Sequence, residues 1–399
     1  MTVQAAANLP VEHKAAASDS TLELQVVSAL LTRVLRDSHR ILYGNVDWLR
    51  FPEEVGFLRG APRDYLWGWA LDLKRAFTGW RAQGEANQLT EMLMHVGDIA
   101  RLYGRLSDPA CRETLISVLE FRVLGYRRVK LALAQGGAYA RAAARAKSLV
   151  RQWKTFAVPE PLRWLNFYDL SPLGYDVKLH AHPLNVISAY LLEQYRCQRV
   201  RGDEVKSLEG GVVLDGGGCF GDTALYFAHQ VGPRGRVLTF EFEPSNIVHM
   251  QRNLELNPSL GQRVSLIQRP LWENAGQAVS MSGDGPGTTI NAESRGSVMT
   301  TTVDATVSAE GLERVDLIKF DIEGAELAAL HGAEATLRRF RPTLAMSVYH
   351  RLRDFWEIAD YIDGLKLGYR FYLDHFTIHS EETVLFALPP TENSSVASS

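Results

Sequence analysis

A chain of 399 residues, 46% hydrophobic and 22% charged with a formal net charge of -3, has the composition of an ordinary soluble globular protein, long for one core and comfortable for two. That charge offers no global attraction to nucleic acid, no run of about 18 apolar residues marks a transmembrane helix, and the N-terminus lacks the basic stretch and apolar core of a secretory signal. The three cysteines, Cys111, Cys197 and Cys219, are widely spaced with no CxxC pair, which argues against a disulfide framework or structural zinc and for a cytoplasmic protein.

Residues 1–20 and 390–399 are rich in Ala, Ser, Thr and Asn and are expected to be disordered tails. A helical region is expected over 21–158. Leu22, Val26, Val27, Leu30, Leu31, Val34 and Leu35 recur at helical spacing, and so do Leu89, Met92, Leu93, Val96, Ile99 and Leu102. Between Tyr43 and Trp80 the prolines and glycines predict a loop-rich connection. From Tyr126 to Lys154 eight basic residues occur with no acid. They read mainly as the solvated face of an amphipathic helix, with a surface for an anionic substrate or a membrane headgroup as the sharper alternative.

After Pro159-Glu160-Pro161 the pattern alternates between strand and helix over 159–389. A short strand is expected at Val177–Ala181 and a helix at Val186–Gln194. Further strands are expected at Gly211–Leu214, Val237–Phe242, Val264–Gln268, Leu317–Asp321, Thr343–Val348, Tyr369–Leu373 and Thr383–Leu388. Alternation of this kind predicts an α/β fold, a doubly wound and mainly parallel sheet. The link from His375 to Glu382 is too short for a crossover helix, so the last two strands should form an antiparallel hairpin.

Within VVLDGGGCFGDTAL, Gly216, Gly218 and Gly221 satisfy GxGxxG after a strand and before a helix. Such glycines either let the backbone approach a ligand or serve packing alone. Glu241 and Glu243 follow at the end of the next strand, where an acid can accept both ribose hydroxyls of an adenosine. A nicotinamide dinucleotide and S-adenosylmethionine both fit this much. Asp215, directly before the glycines, would repel a pyrophosphate and would suit the cationic amino group of a methionine moiety.

Several later segments resemble the FkbM family of S-adenosylmethionine-dependent O-methyltransferases. They are VDLIKFDIEGAELAALHGA (Val315 to Ala333), RPTLAMSVYHRLRDFWEIADYI (Arg341 to Ile362) and GYRFYLDHFTIHSEETVLFA (Gly368 to Ala387), with FEP and TTVDA (Thr301 to Ala305) beside them. The resemblance covers roughly Tyr168 to Leu388, with a fainter echo at LSDPACRETLISVLEFRVLG. The family's cofactor loop usually reads D-x-G-A-N-x-G, and here Gly218 and Cys219 replace its Ala-Asn pair. The resemblance implies a Rossmann-like class I methyltransferase sheet. It also implies in-line transfer of a methyl group to a hydroxyl of a sugar, a glycan or a polyketide-like natural product.

Asp215, Gly216, Gly218, Gly221 and Glu243 are expected to hold the cofactor, and Trp272 either stacks on its adenine or packs in the core. Asp321, Glu323, His350 and Asp354 are the candidates at the C-terminal edge of the sheet. His350 is expected as the base and Asp321 as its supporting or acceptor-binding carboxylate. No metal site is assigned, although Asp321 and Glu323 are the pair that could hold a divalent ion instead. Lys319, in a buried strand, is expected as an ion-pair partner rather than a catalyst. His375 and His379 are expected on the substrate side or the surface. The partner is a small-molecule or glycan acceptor, and the helical region lids the site, binds the acceptor or forms a dimer contact. The rival readings are a nicotinamide-dependent oxidoreductase and a non-catalytic binding protein.

Overall fold

The computed structural model describes residues 11–40, 42, 45, 47, 80–159, 162–200, 208–283, 285–291 and 298–390. The expected Tyr43–Trp80 connection lies outside them, apart from Asn45, Asp47 and Trp80, and so do the tail residues 1–10 and 391–399. Among the described residues the longer leading helices are α1 (Val11–Asp37), α2 (Trp80–Met94), α3 (Val96–Arg105), α4 (Pro109–Leu124) and α5 (Ala138–Leu149). The first of them begins inside the segment whose composition suggested a tail. Local chemistry sets the ends of α4: Asp108 accepts a hydrogen bond from Ala110 N, Pro109 fills the first turn and Gly125 closes the helix at φ 74°. No described helix is long and apolar enough to cross a membrane.

The basic stretch is not one helix. Arg141, Arg145 and Lys147 do lie exposed on α5, while Tyr139, Ala143, Ala146 and Leu149 are buried beneath. At Val150 the chain turns into strand β1 (Val150–Ala157), which pairs antiparallel with β2 (Trp164–Asp169), and β2 pairs with β3 (Lys178–Ala181). A division of the chain at 158/159 therefore passes through the β1–β2 hairpin. The strand expected at 177–181 belongs to this small sheet, and the helix expected at 186–194 is a π-helical turn over Val186–Leu191.

The main sheet has seven strands: β4 (Val212–Gly216), β5 (Arg236–Phe240), β6 (Val264–Ile267), β10 (Leu317–Phe320), β11 (Thr343–Ser347), β12 (Arg370–His375) and β13 (Thr383–Leu388). Their spatial order is β12-β13-β11-β10-β4-β5-β6. Six of them point the same way, and β13 alone is reversed, antiparallel to both β11 and β12. This is the doubly wound sheet with the antiparallel C-terminal hairpin that the sequence predicts. β7 (Ala278–Ser282), β8 (Thr289–Asn291) and β9 (Val298–Met299) form a small third sheet that the sequence does not announce. Helices α6 (Asp222–Gln230), α7 (Pro244–Glu255), α8 (Val303–Ala309), α9 (Glu326–His331), α10 (Glu334–Phe340) and α11 (Asp354–Gly364) connect the strands.

One continuous apolar core runs from Val26 and Leu30 of α1 to Phe386 of β13. The helical region covers the free edge of β12, where Leu106 forms a parallel bridge with Phe371 and Ser107 N donates to Phe371 O at 2.9 Å. Burying that edge satisfies backbone groups that would otherwise be open to another chain. At the opposite side two asparagines of α7 and the turn after it bind β3. Asn253 takes His180 N and donates to His180 O, and Asn257 does the same for Lys178.

Candidate functional site

β4 ends at the glycine loop, and every glycine there is packed against protein. A Cβ on Gly216 would lie 2.7 Å from Phe320, and one on Gly218 would lie 2.1 Å from Thr239 Oγ1. Gly221, at φ 83°, backs onto Met250. The tightest position is Gly217, which the GxGxxG reading leaves out: at φ 79° its Cβ would sit 1.9 Å from Asp321 O. Close packing thus accounts for the glycines, and it also brings the loop against the end of β10. Cys219 adopts φ 47°, a left-handed conformation that asparagine tolerates better than cysteine.

Asp215 is taken up by the fold. It is fully buried, with Oδ1 3.1 Å from Lys319 Nζ and Oδ2 accepting from Thr223 and Thr239. Lys319 also donates to the carbonyls of Gly216 and Gly217, at 2.9 and 2.7 Å, so it is the ion-pair partner expected of it. Burial lowers its pKa, but Asp215 and Asp321 outweigh that and raise it overall. Asp222, the first residue of α6, is also buried beside the loop. Burial pushes it up to about 6, Asn185 donates to Oδ2, and Oδ1 has no hydrogen-bond partner among the described residues.

The two acids after β5 divide their work. Glu241 accepts from the backbone N–H groups of Phe242, Glu243 and Cys219 and from Asn246, so it shapes the loop, and burial pushes it up to about 6. Glu243 caps α7 through Oε2, which accepts from Asn246 N and Ser245 Oγ. Its Oε1 makes no hydrogen bond among the described residues. Trp272 is half-buried, with its backbone N–H donating to Thr301 O. It follows Leu271, whose Cδ1 lies 3.1 Å from the Cβ position of Gly216.

Asp321 and His350 do come together at the ends of β10 and β11, with His350 Nε2 3.5 Å from Asp321 Oδ1. Asp321 accepts from the hydroxyls of Tyr195 and Tyr349 at 2.8 and 3.0 Å. His350 is not poised as a neutral base, however. Glu323 and Glu326 also flank its ring, at 3.5 and 3.1 Å. Burial lowers its pKa, but the three carboxylates override that and lift it to about 11, so the imidazole is a cation at neutral pH. For Asp321 burial raises the pKa, while His350 and Lys319 lower it further, so it stays ionised. Glu326, fully buried, is the member that sequence reasoning missed. Asp354 turns away, its carboxylate held by Arg351 N and Nε. His379 is buried with Nε2 accepting from Asp47 N, and burial pushes His375 down to about 4. His379 is therefore not a surface residue, and His375 is half-buried.

A cavity of about 360 Å³ opens between α2, α4 and the turn before β13, lined in part by Gln88, Glu91, Arg122, Tyr126, His379 and Glu381. Arg122 links it to the acid cluster by donating to Tyr349 O.

Residues 215–371 match the family model of the methyltransferase FkbM domain. No curated protein matches the chain. Among solved structures the chain is similar to a methyltransferase FkbM from Methylobacillus flagellatus KT, at 18% identity over 75% of this chain and 60% of that one, with a TM-score of 0.46. It therefore spans less than two thirds of that protein's length. It is also similar to Aeropyrum pernix fibrillarin with natively bound S-adenosyl-L-methionine (15% identity, 59% of this chain, 99% of that one, TM-score 0.32). A third similar structure is an O-methyltransferase from Bacillus cereus in complex with SAH (14% identity, 52% and 90%, TM-score 0.33).

Proposed function

We propose, for a chain that belongs to the FkbM methyltransferase family through residues 215–371, that it transfers a methyl group from S-adenosylmethionine to a hydroxyl of a small-molecule or glycan acceptor. One observation carries this reading: two carboxylate oxygens beside the glycine loop, Asp222 Oδ1 and Glu243 Oε1, lack partners among the described residues. Asp222 suits the ammonium of a methionine moiety, and Glu243 suits the two hydroxyls of a ribose. A pyrophosphate at the start of α6 would meet the buried Asp222 carboxylate, which disfavours a dinucleotide.

When bound, the cofactor supplies a sulfonium whose methyl group is already activated for displacement. The chain supplies position and charge. Gly216, Gly218 and Gly221 fix the loop, Glu241 pins it through Cys219 N, and Trp272 stands beside it. Asp321, kept ionised by His350 and Lys319, orients the acceptor hydroxyl and takes its proton as the new C–O bond forms. His350 thus serves as the supporting cation and Asp321 as the proton acceptor, the reverse of the roles that residue type alone suggests. The helical region contributes the cavity wall at Arg122 and Tyr126, where the acceptor docks.

Calorimetry with S-adenosylhomocysteine and with NAD tests the cofactor. Saturable binding of the first and none of the second is expected; the opposite result would end the proposal. Mass spectrometry of products formed from labelled S-adenosylmethionine in cell extract identifies the acceptor class. Asp321→Asn should lower kcat by about 10²-fold or more while leaving S-adenosylhomocysteine affinity within a few fold.

A further inference from the structure

We infer that Asp321, Glu326 and His350 form a binding site for one divalent first-row transition ion of the Mn²⁺ or Zn²⁺ kind. One donor atom from each lies within 4.8 Å of the other two. Tetrahedral bonds of about 2.1 Å hold donors about 3.4 Å apart, so the donors need to close by no more than about 1.4 Å. Two carboxylates and an imidazole form a mixed oxygen and nitrogen set, which suits Mn²⁺, Fe²⁺ or Zn²⁺ better than the all-oxygen shells of Ca²⁺.

A second observation points the same way. Glu326 is fully buried, and its Oε1 accepts from Ile322 N and Gly324 N. Its Oε2 has no hydrogen-bond partner, and neither ring nitrogen of His350 makes one either. Nδ1 of that ring is only 3.1 Å from Glu326 Oε1, close enough for a hydrogen bond but misaligned for one. A buried carboxylate oxygen and a buried imidazole without bonds are expensive to keep, and an ion coordinated by both removes the deficit. Charge agrees: Asp321, Glu323 and Glu326 surround one imidazole, and a dication that displaces the ring proton offsets two of their three negative charges. The tyrosine hydroxyls on Asp321 orient that ligand from behind, as outer partners of metal sites do. The inference does not rest on methyl transfer.

Chelator-treated full-length protein should be titrated with Mn²⁺, following loss of the free-ion signal by electron paramagnetic resonance, with Zn²⁺ as competitor. One saturable Mn²⁺ per chain is expected. Glu326→Gln and His350→Ala should each weaken it at least tenfold, Glu323→Gln less than threefold. Binding of S-adenosylhomocysteine by each variant reports its fold, and Asp321→Asn serves where a buried variant does not fold. If wild-type protein binds neither Mn²⁺ nor Zn²⁺ at a single site, or if folded ligand variants bind as wild type does, the site does not exist. Protein that takes up Mn²⁺ but ignores S-adenosylhomocysteine would sink the methyltransferase reading and leave this one standing.

Discussion

Replacing Lys319 by methionine removes the one cation buried beneath the glycine loop. Its ammonium lies 3.1 Å from Asp215 Oδ1, with the two side chains 1% and 0% exposed. Deleting one partner of a buried pair strands the other charge, a loss of about 3–5 kcal/mol. The carbonyls of Gly216 and Gly217 lose a charged donor as well, each worth about 1–3 kcal/mol. These losses share one network and do not add, while methionine restores much of the volume, so about 4 kcal/mol is expected in total. That is a large part of the roughly 5–15 kcal/mol that holds a domain together. Urea unfolding reads it as a lower midpoint at unchanged slope. In the double variant Asp215→Asn, Lys319→Met the stranded charge is gone, and about 2 kcal/mol of the loss should return. A single variant that loses under about 1 kcal/mol, or a double variant that equals the sum of the singles, would show that Lys319 does not hold this loop. If Lys319→Met does not fold at all, recovery of folding in the double variant still reads the coupling.

Four further outcomes follow from the same reasoning. Burial, and then its neighbour Asp37, raises Glu120 from 4.5 to about 7, so its neutral form is the one the fold prefers. The stability this gives is full below pH 4.5 and lost as pH rises through about 7. The urea midpoint should therefore fall between pH 5 and pH 8, and Glu120→Gln, which stays neutral with Asp37, Arg33 and Arg36 unchanged around it, should flatten that fall; an equally steep fall in the variant counts against it. Gly217→Ala, with its Cβ 1.9 Å from Asp321 O at φ 79°, should lose at least about 3 kcal/mol or fail to fold. Gly84→Ala, in an exposed turn of α2 with nothing within 4 Å, should gain about 0.5–1 kcal/mol in the same assay. Cys219→Asn should raise the melting temperature by relieving about 1 kcal/mol of left-handed strain at φ 47°; a lower melting temperature would mean that the thiol's packing outweighs the backbone.

The main sheet is legible in the sequence because its strands are short apolar runs ended by acids or glycines, such as Val212–Gly216 and Leu317–Phe320, and a parallel sheet buries both faces of such runs. Val150–Ala157 is not legible. Its VRQWKTFA continues the basic composition of the preceding helix, and only pairing with Trp164–Asp169 across a turn makes it a strand. Tertiary partners of that kind override local preference. The site divides likewise. Asp321 and His350 stand at strand ends and can be found by counting; Glu326 lies three residues past Glu323 in the same segment and looks like an ordinary first-turn helix acid. Its complete burial is what changes its meaning, and burial is decided by α9 packing against α11. Asp215 and Asp222 show the same limit. Both flank the glycines, but the one next to Lys319 is consumed by the fold and the other keeps an oxygen open.

The glycine loop and the acid cluster share their atoms. Asp321 N donates to Gly216 O, Asp321 O sits where a side chain on Gly217 would be, and Lys319 holds two loop carbonyls while helping to keep Asp321 ionised. From the other side Asn253 donates to Phe220 O and also binds His180 of β3. The loop is therefore clamped between the small sheet and the end of β10. Rigid support from both sides is what in-line transfer requires, since an error of about 1 Å between reacting groups is enough to lose about 10²-fold in rate. It follows that Asn253→Leu, whose native partners are His180, Phe220 and Asn257, should lower turnover and S-adenosylhomocysteine affinity together. Loss of stability with both constants unchanged would mean that β3 supports the fold and not the loop.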